Sequence, residues 1–184
     1  MNKSLLFLGI CIGIGILFLW GSYNSLVSAN EKIDGQWAQV EVQYQRRFDL
    51  IPNLVETVKG SMQQEKEVFL GISEARTRYS GAVSPEERAQ AATQLESALG
   101  RLLVIMENYP QLRSMESVQT LMAQLEGTEN RVSVERSRYN ETVQVYNVQI
   151  KKLPTKWIAS SFGFSERQYF KAMEGSDSAP KVDL

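Results

Sequence analysis

The sequence predicts an all-α protein, an N-terminal transmembrane helix followed by an up-and-down four-helix bundle. Three observations carry that prediction. Leu5 to Trp20 is an apolar run without a single charge. Beyond it, apolar residues recur at alternating steps of three and four, the heptad spacing of packed helices. Breaks rich in Pro, Gly and Ser divide that pattern into four stripes, which can bury themselves only against one another.

The apolar run by itself covers roughly 24 Å as a helix, and extension from Ser4 to Tyr23 brings it to about the ~30 Å of a hydrocarbon core. Trp20 and Tyr23 then fall at headgroup depth, where amphipathic rings settle. Leu5, Trp20 and Tyr23 thus bracket an anchor assigned to residues 1–22. A cleaved signal peptide is the competing reading, with Lys3 as its charged start and Val27-Ser28-Ala29 as its small-residue site. Cleavage there would discard Tyr23 and Leu26, which open the first stripe, so the uncleaved anchor is favoured. Lipidation of Cys11 is disfavoured by bulky Ile10 before it. Gly9 and Gly13 have the small-xxx-small spacing that lets two membrane helices approach, a route to weak homo-oligomers, although glycine is common in such helices anyway. Lys3 precedes the span, while Glu31, Lys32 and Asp34 follow it with net negative charge. That asymmetry leans towards a single-pass cell-membrane protein with an extracytoplasmic domain.

About 160 residues remain, enough for one domain with its own core, assigned to residues 23–170. Net charge is −1, which offers no basic field for nucleic acid. Histidine is absent, and the one cysteine lies in the apolar run. These counts exclude Cys/His dyads, disulfides within the chain, zinc sites of the usual N/S kind and di-iron sites built on Glu-x-x-His. Neither G-x-x-x-x-G-K-[ST] nor G-x-G-x-x-G occurs. No catalytic residue, metal site or cofactor is expected, and the chain is not expected to be an enzyme.

The first stripe runs from Tyr23 and Leu26 through Asn30, Ile33, Trp37, Val40 and Tyr44 to Arg47. The second, from Ile51 through Leu54, Val58, Met62, Glu65, Phe69, Ile72 and Arg76 to Tyr79, is set off by Asp49-Leu50-Ile51-Pro52. Ser84-Pro85-Glu86-Glu87 opens the third helix with an N-cap, a proline at the first helical position and a capping-box glutamate. Its stripe is Ala92, Leu95, Leu99, Leu102, Met106 and Tyr109, ended by Pro110. The last runs from Val118 through Leu121 or Met122, Leu125, Glu129, Val132, Arg136, Tyr139, Val143, Tyr146 and Ile150 to Leu153. Its length exceeds that of its partners, so a break is expected at Gly127, with 114–126 capping the distal end. In an up-and-down arrangement the Ser80–Ser84 loop and the residues after Leu153 would face the bilayer.

Polar residues interrupt the stripes at Asn30, Arg47, Glu65, Arg76, Glu129 and Arg136, with Glu107 beside Met106. Two readings apply: a register-setting ion network, which is favoured, or a polar ligand site. Tyr139-Asn140 and Tyr146-Asn147, seven residues apart, share a face and are expected to pack there. Near the C-terminus, basic residues including Lys156 adjoin Trp157, Phe162 and Phe164. That mixture suits an interfacial segment on anionic lipid, and equally a plug for the bundle's open end. Residues 171–184 are polar and read as a disordered tail.

Tyr23-Asn24-Ser25-Leu26-Val27, Asn30, Trp37 and the run Arg46-Arg47-Phe48-Asp49-Leu50-Ile51-Pro52-Asn53-Leu54-Val55 resemble the opening of LemA-family proteins. Glu65, Ala75-Arg76, Glu107-Asn108-Tyr109-Pro110, Glu129-Asn130, Arg136, Tyr139-Asn140, Tyr146-Asn147, Pro154, Gly163-Phe164 and Tyr169-Phe170 continue the resemblance in order. It implies a bacterial-type, single-pass membrane protein with a four-helix soluble domain and no established enzymatic activity. The family is sometimes described with the short N-terminus outside, against the charge asymmetry, which leaves topology open. It is also linked to magnetosome membrane formation and to a membrane metalloprotease.

The function expected from these readings is that of a membrane-anchored interaction or scaffold module, with the lipid bilayer and another protein as partners. Alternatives are a membrane-shaping or lipid-surface module, a partner of a membrane protease, and a sensor using the polar layer. The sensor reading requires a cavity beside the arginines and glutamates.

Overall fold

The computed structural model describes residues 3–62 and 65–170, so the tail expected over 171–184 lies outside the described residues. The helices are α1 Lys3–Lys59, α2 Lys66–Gly81, α3 Pro85–Met106, α4 Pro110–Arg113, α5 Glu116–Lys151 and α6 Thr155–Ser161. No strand occurs among the described residues. The protein is all-helical, with a long apolar N-terminal helix followed by several packed helices.

The heptad stripes are the core. Leu26, Ile33, Val40, Leu54, Val58, Leu102, Val132 and Val143 are fully buried, and Trp37, Tyr44, Tyr139 and Tyr146 nearly so. The apolar start of α1 has the opposite character. Phe7, Leu17 and Trp20 are 66–71% exposed, and only 6% of the most apolar window of this helix is buried. Its length and composition suit a membrane crossing, and its side chains have no protein core to fill.

Two expected breaks are absent. Helix α1 continues through Pro52, although proline removes one hydrogen bond and costs about 3 kcal/mol in a helix interior. Phe48 and Ile51 before it, and Leu54 and Val58 after it, are all buried, and that burial outweighs the penalty. The chain instead turns after Lys59, where Ser61 N and Met62 N both donate to Val58 O. Met62, though beyond the helix, is fully buried and keeps the stripe unbroken, which is why the turn left no gap in the pattern. Helix α5 likewise continues through Gly127. Leu125 and Val132 are buried on either side of it, and the Thr128 hydroxyl donates to Leu125 O at 2.7 Å. One glycine's cost of about 1 kcal/mol is too small to end such a helix.

The expected mismatch in helix length is resolved by a division of the chain into two compact units. One combines α1 up to Ala38 with Arg136–Tyr169, and the other comprises Gln39–Glu135. Helices α1 and α5 each contribute to both. In the second unit α1, α2, α3 and α5 form the four-helix packing. Tyr79 of α2 lies against Phe48 of α1, with centroids 4.1 Å apart, and Arg78 donates to Gln94 of α3 at 3.0 Å. Arg88 of α3 forms an ion pair with Glu41 of α1 and donates from its Nε to Ala82 O in the loop after α2. The expected start of α3 is present in full: Ser84 accepts from Glu87 N, and the Glu87 carboxylate accepts from the Val83 and Ser84 amides.

Candidate functional site

In the first unit, α6 carries the chain back against α1. Gly163 ends this helix with φ 78°, a conformation that costs other residues about 1–2 kcal/mol. Phe164 N then donates to Ala159 O at 2.9 Å, closing the turn. This bend sets Phe162 and Phe164 against one ring. Their centroids lie 4.9 and 5.9 Å from that of Tyr23, the residue that closes the apolar stretch of α1. Trp157 and Phe162 remain 67% and 62% exposed, Lys156 is exposed, and Phe164 is half-buried. The aromatics therefore do not plug a core. They form an exposed apolar surface with lysines beside it, joined to Tyr23 and next in sequence to exposed Trp20. Leu5 lies in α1, but its side chain falls outside the described residues.

The strand-like stretch after Phe164 is held by α5. Asn147, almost fully buried, donates to Arg167 O at 2.8 Å and accepts from Arg167 N at 2.9 Å. Its amide satisfies both backbone groups of one residue, as a neighbouring strand would. The Tyr139 hydroxyl reaches Gln168 O, the Arg167 guanidinium pairs with Asp34 of α1, and Lys151 pairs with Glu166 at 2.7 Å. Burial pushes the Tyr146 phenol above its ordinary pKa, against the opposing pull of Arg167. The Tyr-Asn pairs thus act as a clasp for the aromatic segment. That clasp joins residues distant in sequence, and periodicity carries no trace of it.

In the second unit the polar stripe residues separate into two sets. Arg47 is buried, and its guanidinium pairs with Glu129 of α5 and with Glu96 of α3 at 3.4 Å. Glu107 lines the same cleft from the end of α3. The remaining stripe residues do not join them. Arg76 is exposed because Ala75 takes the inward position on α2, and Glu65 is half-buried at the start of that helix. Asn30 and Arg136 are half-buried in the first unit. Glu96 escaped the stripe reading because it follows Leu95. With Ala92, Leu95 and Leu99 on the seam, Glu96 occupies the flanking position from which heptad charges pair across helices.

Beside this ion layer lies a cleft of about 690 Å³ between α1, α3 and α5. Its floor includes Leu99, Leu102, Met106, Met122 and Leu125, and Glu107, Glu126 and Glu129 stand around it. Arg47 forms part of the wall, and its Nε is buried without a hydrogen-bond partner among the described residues. The cavity required by the polar-layer ligand reading is present.

Residues 36–184 match the sequence profile of the LemA family. Similar proteins include magnetosome proteins MamQ 1 and MamQ 2 of Paramagnetospirillum magneticum and magnetosome protein MamQ of Magnetospirillum gryphiswaldense. Each is 27% identical over 181 residues, in matches covering 84% of this chain. The chain spans 66% of the length of these relatives. Asn30 and the Tyr23–Val27 stretch precede the region matched by the family profile.

Proposed function

Taking as premise that the chain belongs to the LemA family, we propose that it is a membrane-anchored, non-enzymatic interaction module. Its aromatic C-terminal segment rests on the bilayer surface beside its own anchor. The observation that carries this reading is the packing of Phe162 and Phe164 against Tyr23, one ring tilted and the other edge-on. If the apolar start of α1 spans the bilayer, Tyr23 lies at headgroup level, and whatever packs on Tyr23 lies there too. Exposed Trp157 and Phe162 then enter the interface, where Lys152 and Lys156 meet anionic headgroups. Kinship with proteins described as magnetosome proteins supports a role in organising a membrane-bound assembly.

Sedimentation of the chain lacking residues 1–22 with phosphatidylglycerol vesicles tests the surface contact apart from the anchor. We expect binding that weakens with salt and falls by roughly tenfold or more in Trp157→Ala/Phe162→Ala, since two aromatic anchors are lost. Undiminished binding by that variant would overturn the assignment.

A further inference from the structure

We propose that the cleft between α1, α3 and α5 receives a basic amphipathic segment of a partner protein. The inference rests on the reading of this chain as an interaction module and assigns the partner's chemistry. The cleft has the volume of a ligand site, about 690 Å³, and a floor of leucine and methionine. Methionine's flexible thioether adapts to differing side chains, so such a floor suits helices that present apolar residues at steps of three and four.

Charge selects among possible occupants. The cation in the lining, Arg47, is already engaged by Glu96 and Glu129. Glu107 and Glu126 also line the cleft, both are exposed, and neither has an ion pair among the described residues. The rim is therefore net negative, which repels anionic lipids and acidic segments and favours lysine or arginine. A peptide meets both requirements, with apolar side chains for the floor and cations for the rim. A fatty chain meets only the first.

The test uses the full chain in phosphatidylcholine nanodiscs and three helical probe peptides sharing one leucine pattern, with lysine, glutamate or glutamine on the polar face. Binding is measured against empty nanodiscs. The lysine peptide should bind more than roughly tenfold tighter than the glutamate peptide, with an affinity that falls as salt rises. Glu107→Lys/Glu126→Lys alters exposed positions and should invert that preference. Ala123→Phe, which fills the cleft from its exposed wall, should abolish binding with helicity retained. Equal binding of the lysine and glutamate peptides, no binding of either, or a preference untouched by the charge reversal would overturn the proposal. Vesicle binding through Trp157 is a separate readout, so failure of the cleft does not imply failure of the surface contact.

Discussion

Arg47 lies in the helical packing with a carboxylate from each of two other helices against it. Its side chain is 10% exposed and Glu96 12%, whereas Glu129 is 41% exposed. The members of this triad should therefore respond unequally to mutation. Arg47→Ala removes the buried cation shared by Glu96 and Glu129 and is expected to cost roughly 3–5 kcal/mol in chemical denaturation. Glu129→Gln leaves Arg47 still paired with Glu96 and should cost no more than about 1 kcal/mol. Equal losses would mean that the triad is not organised around Arg47.

Two titrations follow from local contacts. Glu87 accepts from the Val83 and Ser84 amides, and these bonds hold its carboxyl below the usual range. Its contribution is therefore present above the unfolded carboxylate pKa and is lost as pH falls through the lowered value. Tyr79 behaves oppositely: burial, with the neighbouring Tyr44, raises it to about 12. Between its ordinary value near 10 and about 12 the unfolded chain releases the proton first, so stability falls as pH rises through that window. Glu87→Gln should flatten the acid limb of a stability–pH curve, and Tyr79→Phe the alkaline limb.

At the scale of elements, two glycines make opposite predictions. Gly127 is mid-helix and exposed, and a Cβ there meets nothing within 4 Å. Gly127→Ala should stabilise α5 by up to about 1 kcal/mol. Gly163→Ala should cost about 1–2 kcal/mol, because its φ of 78° disfavours any Cβ. Thermal denaturation of the two variants checks both signs. The helices and their inward faces were legible because burial follows a single period, and Leu26, Ile33, Leu102 and Val132 lie where that period puts them. The ends of α1 and α5 were not. Pro52 and Gly127 are strong local signals, overruled by burial on both sides, whereas the real turn is masked by Met62. Arg47 and Glu129 were legible as polar residues on apolar stripes. Arg76 satisfied the same rule, but Ala75 holds the inward position beside it, while Glu107 lies off the stripe beside buried Met106, as its spacing implies.

For the whole molecule, the division into two units distributes separate features over separate stretches of the same long helices. The first unit contains the apolar start of α1 and the aromatic segment clasped by Asn147. The second contains the ion layer and the acid-rimmed cleft. A family profile covering residues 36–184 includes that cleft and the aromatic segment and begins after Tyr23, against which the aromatics pack. We propose that the aromatic surface of the first unit lies in the bilayer interface. This placement is tested most directly in the full chain reconstituted in liposomes, with Trp20→Phe and Trp37→Phe leaving Trp157 as the sole tryptophan, by fluorescence quenching with lipids brominated at graded depths. Quenching should be strongest for the shallowest label and be accompanied by a blue-shifted emission. Emission from Trp157 at the wavelength of water-exposed indole, unquenched at every depth, would contradict this placement.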